Sequence, residues 1–347
     1  MESEEVTTTM GRYFSKSFLL FLFVIPTVCL AYPVVLWVIG QLFFPFQANG
    51  SIVRDAKGNA IGSLLIAQPF TKDEYFQPRP SAASYDASAS APSNLAASNY
   101  ALRDRVARAL GPIVKYADGP KKGQLVAPDL EAWFQQDKFG GQPHIVAQWA
   151  DAHNGLATGW VNADPSHGAY VDDWTKKHPN EVAQWKKDNS ATPEPKAADL
   201  AVLFFESLSK DNPGKFPSAV TQTGKDGKTT TAIEPVGTGS DIQSIFFDMW
   251  RQEHADAALQ EIPADMVMAS GSGLDPHISM ENAEYQLDRV ADKWAADTKR
   301  DPKQVHDEIE QILQQNASAP FGGLAGEQFV NVLQVNLALK DRYGEPK

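Results

Sequence analysis

Followed as apolar and polar positions, the chain has one long apolar run and several shorter periodic ones. The long run is Phe18 to Phe46, FLLFLFVIPTVCLAYPVVLWVIGQLFFPF, and no charged residue occurs between Lys16 and Arg54. A helix needs about 20 apolar residues to cross a hydrocarbon core roughly 30 Å thick. The pattern therefore predicts a transmembrane helix over 18–46, with length to spare for tilt. A signal-peptide core holds only about 7–15 apolar residues. This run continues through Val34–Ile39, past Ala31, the one small residue placed for cleavage. A retained anchor is expected over a cleaved leader. Cys29 follows Val28 rather than a small residue, which argues against a lipoprotein. Pro26 and Pro33 are tolerated in a membrane helix when neighbours satisfy the freed carbonyls, which suits a helix packed among others.

Beyond the run, Ser51–Arg54 and Ile61–Ile66 flank Asp55-Ala-Lys-Gly-Asn59 and read as a β-hairpin. Gln68–Asn99 is rich in Ser, Ala, Asn and Pro, the composition of a flexible linker. Yet it carries Phe70, Tyr75, Phe76, Arg79, Tyr85 and Leu95, which favours an ordered functional loop. Asn99 is placed to cap a helix whose face is Leu102, Val106 and Leu110, ended by Gly111-Pro112. A degenerate repeat follows, an apolar residue three positions before Trp: Val146–Trp149, Val171–Trp174 and Val182–Trp185, with Leu156–Trp160 a looser copy. Trp133 and Trp250 have similar settings. This predicts short amphipathic helices, each burying one Trp; a Trp-lined docking face is the alternative. Asn189–Lys196 and Thr221–Thr231 read as loops. Near the end, Ser279 is placed to cap a helix with face Leu287, Val290 and Trp294, and Asp301-Pro302 to start another. Val305, Ile309, Ile312 and Leu313 form the second helix's apolar face. Val330–Leu339 reads as a C-terminal strand that turns helical near its end.

Charge sharpens the picture. Arg12 and Lys16 precede the run, and the next positive residue after it is Arg54. The bias places the N-terminus on the cytoplasmic side and the remaining residues outside. Almost all of the net charge of −12 lies beyond the run, interspersed with Lys and Arg, and no basic stripe suits nucleic acid. Cys29 is the only cysteine, so the outer part has neither a disulfide nor a thiolate metal site.

Candidate chemistry is sparse. Lys225-Asp-Gly-Lys-Thr229 has Gln222 where a phosphate loop needs its first Gly, and no apolar strand before it. Ser270, Ser272, Asp275 and His277 lie close in sequence and tempt a hydrolase reading, but triad members rarely adjoin; a tight turn with Gly271 and Gly273 accounts for them. Gln68, Arg79, Ser93, Asn94 and Asn99 form the polar set of the long loop, and Tyr75 and Phe76 its aromatic pair. These residues either satisfy buried backbone groups or contact a partner or ligand. Asp73, Glu74, Asp86 and Asp275 are candidates for gathering cations. No His pair has the spacing of a zinc protease, so no metal is expected.

Several stretches together carry a likeness. Gly62-Ser-Leu-Leu-Ile-Ala-Gln68, Tyr75-Phe-Gln-Pro-Arg-Pro-Ser81, Ser93-Asn-Leu95 and Ser98-Asn99 resemble the C subunit of the Kdp potassium-transporting P-type ATPase. So do Ala269–Ser279 and Val330–Leu339, and the N-terminal span matches. The likeness covers about 15–116 and 258–345, which leaves about 117–257 as a helical insertion. The resemblance implies a non-catalytic accessory subunit in a bacterial inner membrane. Its partners would be a channel-like potassium-binding subunit and the phosphorylated pump subunit. Its role would be assembly and stimulation of potassium uptake, with ATP used at the level of the complex and no cofactor of its own. The expected fold is α+β: a cytoplasmic N-terminus (1–17), the span (18–46), and an outer domain (47–116 and 258–347) with a small sheet and packed helices, interrupted by the Trp-rich insertion. A membrane-anchored hydrolase or binding protein is the alternative.

Overall fold

The computed structural model describes residues 2–223, 229–324 and 326–346. The chain forms two compact units, Met1–Ser93 with Ala269–Lys347, and Asn94–Met268. Helices dominate, with three two-stranded antiparallel sheets among the described residues. The fold is α+β, as the sequence pattern predicts.

The chain opens with α1 (Glu2–Pro26), a π-helical turn (Thr27–Ala31) and α2 (Tyr32–Phe43). Tyr13–Phe43 is one helical stretch of 31 residues with mean hydropathy 2.5, long and apolar enough to cross a membrane. The π turn lies between Pro26 and Pro33, where the Tyr32 N–H donates to the Thr27 carbonyl. The Thr27 hydroxyl donates to the Phe23 carbonyl at 2.8 Å. A widened turn and a threonine hydroxyl are adjustments by which membrane helices absorb proline. The helix stops at Phe43, short of the expected Phe46. Pro45 disfavours helical angles at the residue before it, and Phe44 indeed leaves the helix at φ −136°. A single turn, α3 (Pro45–Ala48), follows.

Strands β1 (Ile52–Arg54) and β2 (Ala60–Ser63) pair Ile52 with Ser63 and Val53 with Gly62. The Asp55 carboxylate accepts from the Lys57 and Asn59 amides and closes the turn. Leu64–Ile66, expected in the second strand, form a turn instead, with the Leu64 N–H given to the Ser51 carbonyl. Residues 67–98 have no strand and only a 3-10 turn at Ala87–Ala89.

The second unit begins near α4 (Tyr100–Leu110), where the Asn99 side chain accepts from the Ala101 amide as the sequence predicts. Then come α5 (Ala127–Gln135), α6 (Ile145–Ala152), α7 (Asn154–Ala163), α8 (Pro165–Lys177), α9 (Pro179–Asp188) and α10 (Ala201–Asp211). Strands β3 (Phe216–Thr223) and β4 (Thr229–Val236) pair in register from Phe216–Val236 to Thr223–Thr229. This corrects the expected loop over Thr221–Thr231: the Thr-rich run Thr229–Thr231 pairs with Thr221–Thr223 and is β-prone, although Pro and Gly flank it. Residues 224–228, with most of the candidate phosphate loop Lys225–Thr229, lie outside the described residues. Helices α11 (Ser240–Glu253) and α12 (Ala264–Val267) complete the unit.

Its core is aromatic. Trp149 meets Phe205, Phe216 and Phe246 with ring centroids 5.2, 5.6 and 5.9 Å away, mostly edge to face. Trp133, Trp149, Trp174 and Trp250 are buried, whereas Trp160 and Trp185 are half-buried. A shared device ends these helices. Four residues after each of Trp149, Trp174 and Trp250 stands a His whose Nδ1 meets the Trp carbonyl, at 3.2, 2.9 and 2.8 Å. A carbonyl only accepts, so Nδ1–H is the donor. After Trp185 the same place is taken by Asn189, whose amide donates to the Trp185 carbonyl at 3.0 Å. Each of these carbonyls also accepts the backbone N–H of the same residue, so the side chain adds a second donor at the end of the helix. The histidines are helix terminators, and the rings of His178 and His254 also stack on their own Trp at 4.8 and 4.6 Å.

The chain returns to the first unit with β5 (His277–Ser279), α13 (Met280–Thr298), α14 (Pro302–Asn316), β6 (Phe329–Asn331) and α15 (Val332–Tyr343). Ser279 caps α13 by accepting from the Asn282 amide, and Asp301 caps α14 by accepting from Gln304. The expected strand over Val330–Leu339 is therefore corrected. Only Phe329–Asn331 pair with His277–Ser279. Asn331 then caps a helix by accepting from the Gln334 amide. Val332, Val335 and Leu339 share one helix face and are buried with Val290, Trp294, Val305, Ile309 and Leu313.

Candidate functional site

The stretch Asp73–Gln77 starts in a turn, runs on without regular structure, is buried in part and lies outside every sheet. Its backbone groups must still be paired, and side chains from α13 and α15 do it. Asn336 accepts from the Phe76 N–H and donates to the Phe76 carbonyl, both at 2.9 Å, as a neighbouring strand would. Gln286 does the same for Gln77, at 2.8 and 3.1 Å, and is itself held by Asn282. Arg289 donates to the carbonyls of Asp73 and Tyr75, and the Trp294 indole to that of Glu74. Phe76 is fully buried, and Tyr75 packs edge-on between Phe70 and Trp294. Sequence reasoning named Tyr75 and Phe76 but missed Asn282, Gln286, Arg289 and Asn336. Their signal was a polar residue inside an apolar stripe: Gln286 beside Leu287 and Val290, and Asn336 between Val332 and Leu339.

This clamp delivers Pro78-Arg79-Pro80-Ser81 to the turn Ser270–Asp275. The Arg79 guanidinium lies 3.7 Å from the Asp275 carboxylate, and Asp275 accepts from both the His277 amide and its Nδ1 at 3.0 Å. Hydrogen bonding from the His277 ring, with its backbone amide and the Arg79 charge, holds the Asp275 carboxyl below the usual carboxylate range against the pull of burial. The His277 ring also meets the Phe329 ring, at a steep angle with centroids 4.8 Å apart. The Arg79 Nε is buried and has no hydrogen-bond partner. Above the turn, Ser81 donates to the Gly273 carbonyl and accepts from the Tyr85 amide, and the Tyr85 hydroxyl donates to the Arg79 carbonyl. Gly273 has φ +68°, and a Cβ there would stand 2.7 Å from the Ala91 carbonyl oxygen, so only glycine fits. The Ser270 hydroxyl accepts from the Asp275 amide at 3.4 Å and that of Ser272 from the Leu274 amide at 3.1 Å.

The structure thus brings Arg79, Ser270, Ser272, Asp275 and His277 together. Gln68 is elsewhere: its amide lies against Gly62, where a Cβ would come within 2.4 Å of it. Ser93 is half-buried at the end of the first stretch of its unit. Asn94, at φ +51°, and Asn99, the α4 cap, belong to the second unit. The four carboxylates named for cations have partners of their own. Asp73 faces Arg289 and Glu74 faces Lys293, each at 3.7 Å, while Asp86 binds the Ser88 amide and hydroxyl. His306, Asp307 and Glu310 place ligand-type atoms within 4.8 Å of one another on α14, where His306 also approaches Asp288 at 3.5 Å.

The same residues are recognised by comparison. The profile of the family described as K+-transporting ATPase, c chain (KdpC), matches residues 14–152 and 242–341. The chain belongs to this family. Among its relatives, the potassium-transporting ATPase KdpC subunit of Pseudomonas aeruginosa is 56% identical over 78 residues, 22% of this chain and 43% of that protein. That of Myxococcus xanthus is 38% identical over 138 residues, 38% of this chain and 62% of that protein. That of Synechocystis is 49% identical over 84 residues, 22% of this chain and 44% of that protein. The chain spans less than two thirds of each of these KdpC relatives. The KdpC match takes in the apolar helix, the hairpin β1–β2, the clamped stretch and most of the Ala269–Lys347 part. It reaches further into the second unit than the resemblance read from motifs, and omits 153–241, which hold α7 to α10 and the β3–β4 pair.

Proposed function

We propose that the chain is an accessory subunit of an ATP-driven potassium uptake complex. It is anchored by Tyr13–Phe43 and needed for assembly and stimulation of the pump. The observation that carries this reading is the family match through both parts of the first unit. The N-terminus is cytoplasmic and the two folded units lie on the outer side of the bacterial inner membrane, consistent with Arg12 and Lys16 before the span. Its partners are the channel-like potassium-binding subunit and the phosphorylated pump subunit, and the latter uses the ATP. The chain itself performs no chemistry. In support, the hydroxyls of Ser270 and Ser272 serve backbone amides of their own turn, and His277 serves Asp275. The Arg79–Asp275–His277 group is then a rigid surface feature offered to a partner.

Gentle purification from native membrane tests this. Large membrane subunits in stoichiometric amount, with ATPase activity stimulated by potassium, are the expected result. Arg79→Ala should retain the fold but lower the amount of co-purified subunits. A chain that purifies alone, stable and without such activity, would overturn the reading.

A further inference from the structure

The chain reverses direction at the end of the span. Ala48 sits beside Gly40, where an added Cβ would be 3.4 Å from the Ala48 Cβ. The Asn49 amide donates to the Gln41 side chain at 3.2 Å and to the Pro45 carbonyl at 2.7 Å. The segment that follows the span has therefore come back to the level of its last turn. Hydrogen bonds then carry that level into the hairpin. The Ser51 N–H donates to the Phe46 carbonyl, the Leu64 N–H to the Ser51 carbonyl, and the Ser63 hydroxyl to the Gly50 carbonyl at 2.7 Å. From the other side the Asn331 amide donates to the Leu64 carbonyl at 2.8 Å, tying the hairpin base to α15's cap. Four large apolar side chains stand out at this junction: Phe44 (57% exposed), Phe46 (45%), Ile52 (37%) and Leu65 (58%). The charges Arg54, Asp55 and Lys57 are confined to the hairpin tip.

We propose that the base of this hairpin, Ile52 and Leu65 with Phe44 and Phe46, is seated in the lipid at the boundary between headgroups and acyl chains. This would be a second membrane contact besides the span. The patch begins in the residues that directly follow Tyr13–Phe43, and the turn that leads to the hairpin returns at Ala48 and Asn49 to Gly40 and Gln41. Apolar and aromatic side chains favour that interfacial layer. Because the patch is bonded to both the span and α15, the contact fixes the tilt of the first unit on the membrane. The inference rests on the span being membrane-inserted.

The test uses the full chain with Cys29→Ala, which removes its only cysteine. An environment-sensitive fluorophore is placed by Leu65→Cys, by Lys57→Cys at the tip, or by Val35→Cys in the span. The protein is studied in phosphatidylcholine–phosphatidylglycerol vesicles carrying nitroxide-labelled lipids. The expected result is that the probe at position 65 emits to the blue of that at 57. It should be quenched more by nitroxides near the headgroup than by deep ones, while the probe at 57 is unquenched. Quenching at 35 by deep nitroxides with none at 65 would overturn this contact and leave the anchor intact. A blue-shifted but unquenched probe at 65 would also overturn it, in favour of a protein cover. No quenching at 35 would overturn the anchor and the contact together.

Discussion

In the first unit, Asn336, Gln286, Arg289 and Trp294 hold the backbone of residues 73–77 from positions 209 to 260 residues away. In the second, His153, His178, Asn189 and His254 each serve a carbonyl four residues back. Among the described residues, the buried amide side chains Asn282, Gln286, Asn331 and Asn336 all belong to the first unit. The second unit instead buries Trp and Phe rings against one another. The contrast teaches where each unit's specificity lies. Rings packed by area accept several arrangements, whereas a buried amide pair accepts one, because a misplaced backbone group stays unpaired. The unit that the family profile matches in both its parts is the one with a conformation fixed at long range.

The strongest way to break this comparison is to open the aromatic core. Trp149→Ala removes a ring that touches three Phe rings and should cost the second unit about 3–5 kcal/mol. Hydrogen exchange resolved by segment should show faster exchange over α6, α10 and α11, with residues 73–77 unchanged. Equal acceleration in both units would mean that they are one cooperative body and that the contrast is not energetic.

Next is the clamp. Asn336→Leu keeps the branched shape but leaves the Phe76 N–H and carbonyl without partners. Each such group costs about 1–3 kcal/mol when buried. Exchange at Phe76 and Gln77 should rise by orders of magnitude while the second unit keeps its protection. Unchanged protection at Phe76 would show that packing of its ring, not the amide, fixes the segment.

A pH titration probes the first unit's other long-range tie. Glu308 on α14 receives Arg300 at 2.6 Å, the Tyr343 hydroxyl at 3.0 Å and Arg342 at 3.2 Å. Hydrogen bonding from Arg300, then Tyr343 and Arg342, holds its carboxyl at about 2 against an ordinary 4.5. A carboxyl depressed on folding stabilises above its unfolded value and loses that contribution as pH falls through the folded one. The first unit should therefore weaken between about pH 4.5 and 2. Glu308→Gln should lower its stability at neutral pH and flatten that slope. A slope identical in the variant would remove Glu308 from the account.

Much of this was legible in the sequence wherever the cause is local. Asn99, Ser279 and Asp301-Pro302 announce helix starts because a cap is made within three residues. The Trp spacing announces short helices for the same reason. Val330–Leu339 misled because its Val residues are β-prone and its apolar positions partly alternate, while packing with α13 and α14 decides for helix. The β3–β4 pair was hidden by the loop-like Pro and Gly around it. The clamp was out of reach, since nothing near Phe76 points to a partner 260 residues on. For the candidate site, Arg79, Asp275 and His277 were named, but their meeting depends on that clamp.

The smallest effect concerns the local device itself. At the end of α11, His254 donates to the Trp250 carbonyl at 2.8 Å and stacks on the Trp250 ring at 4.6 Å. If the hydrogen bond matters most, an amide should substitute, because Asn189 already does so after Trp185. His254→Ala loses the ring's bond, keeps that of the residue's own N–H to the same carbonyl, and should cost about 0.5–1.5 kcal/mol, read as a lower denaturation midpoint for the second unit. His254→Asn should recover most of it. Recovery by Asn would make the terminator a matter of one donor at one spacing, the reason it is interchangeable among four helices. Failure of Asn, with recovery by an aromatic residue such as His254→Phe, would assign the effect to stacking. Even this local element would then obey the ring-packing rule of the unit's core, and the contrast with the amide clamp of the first unit would widen.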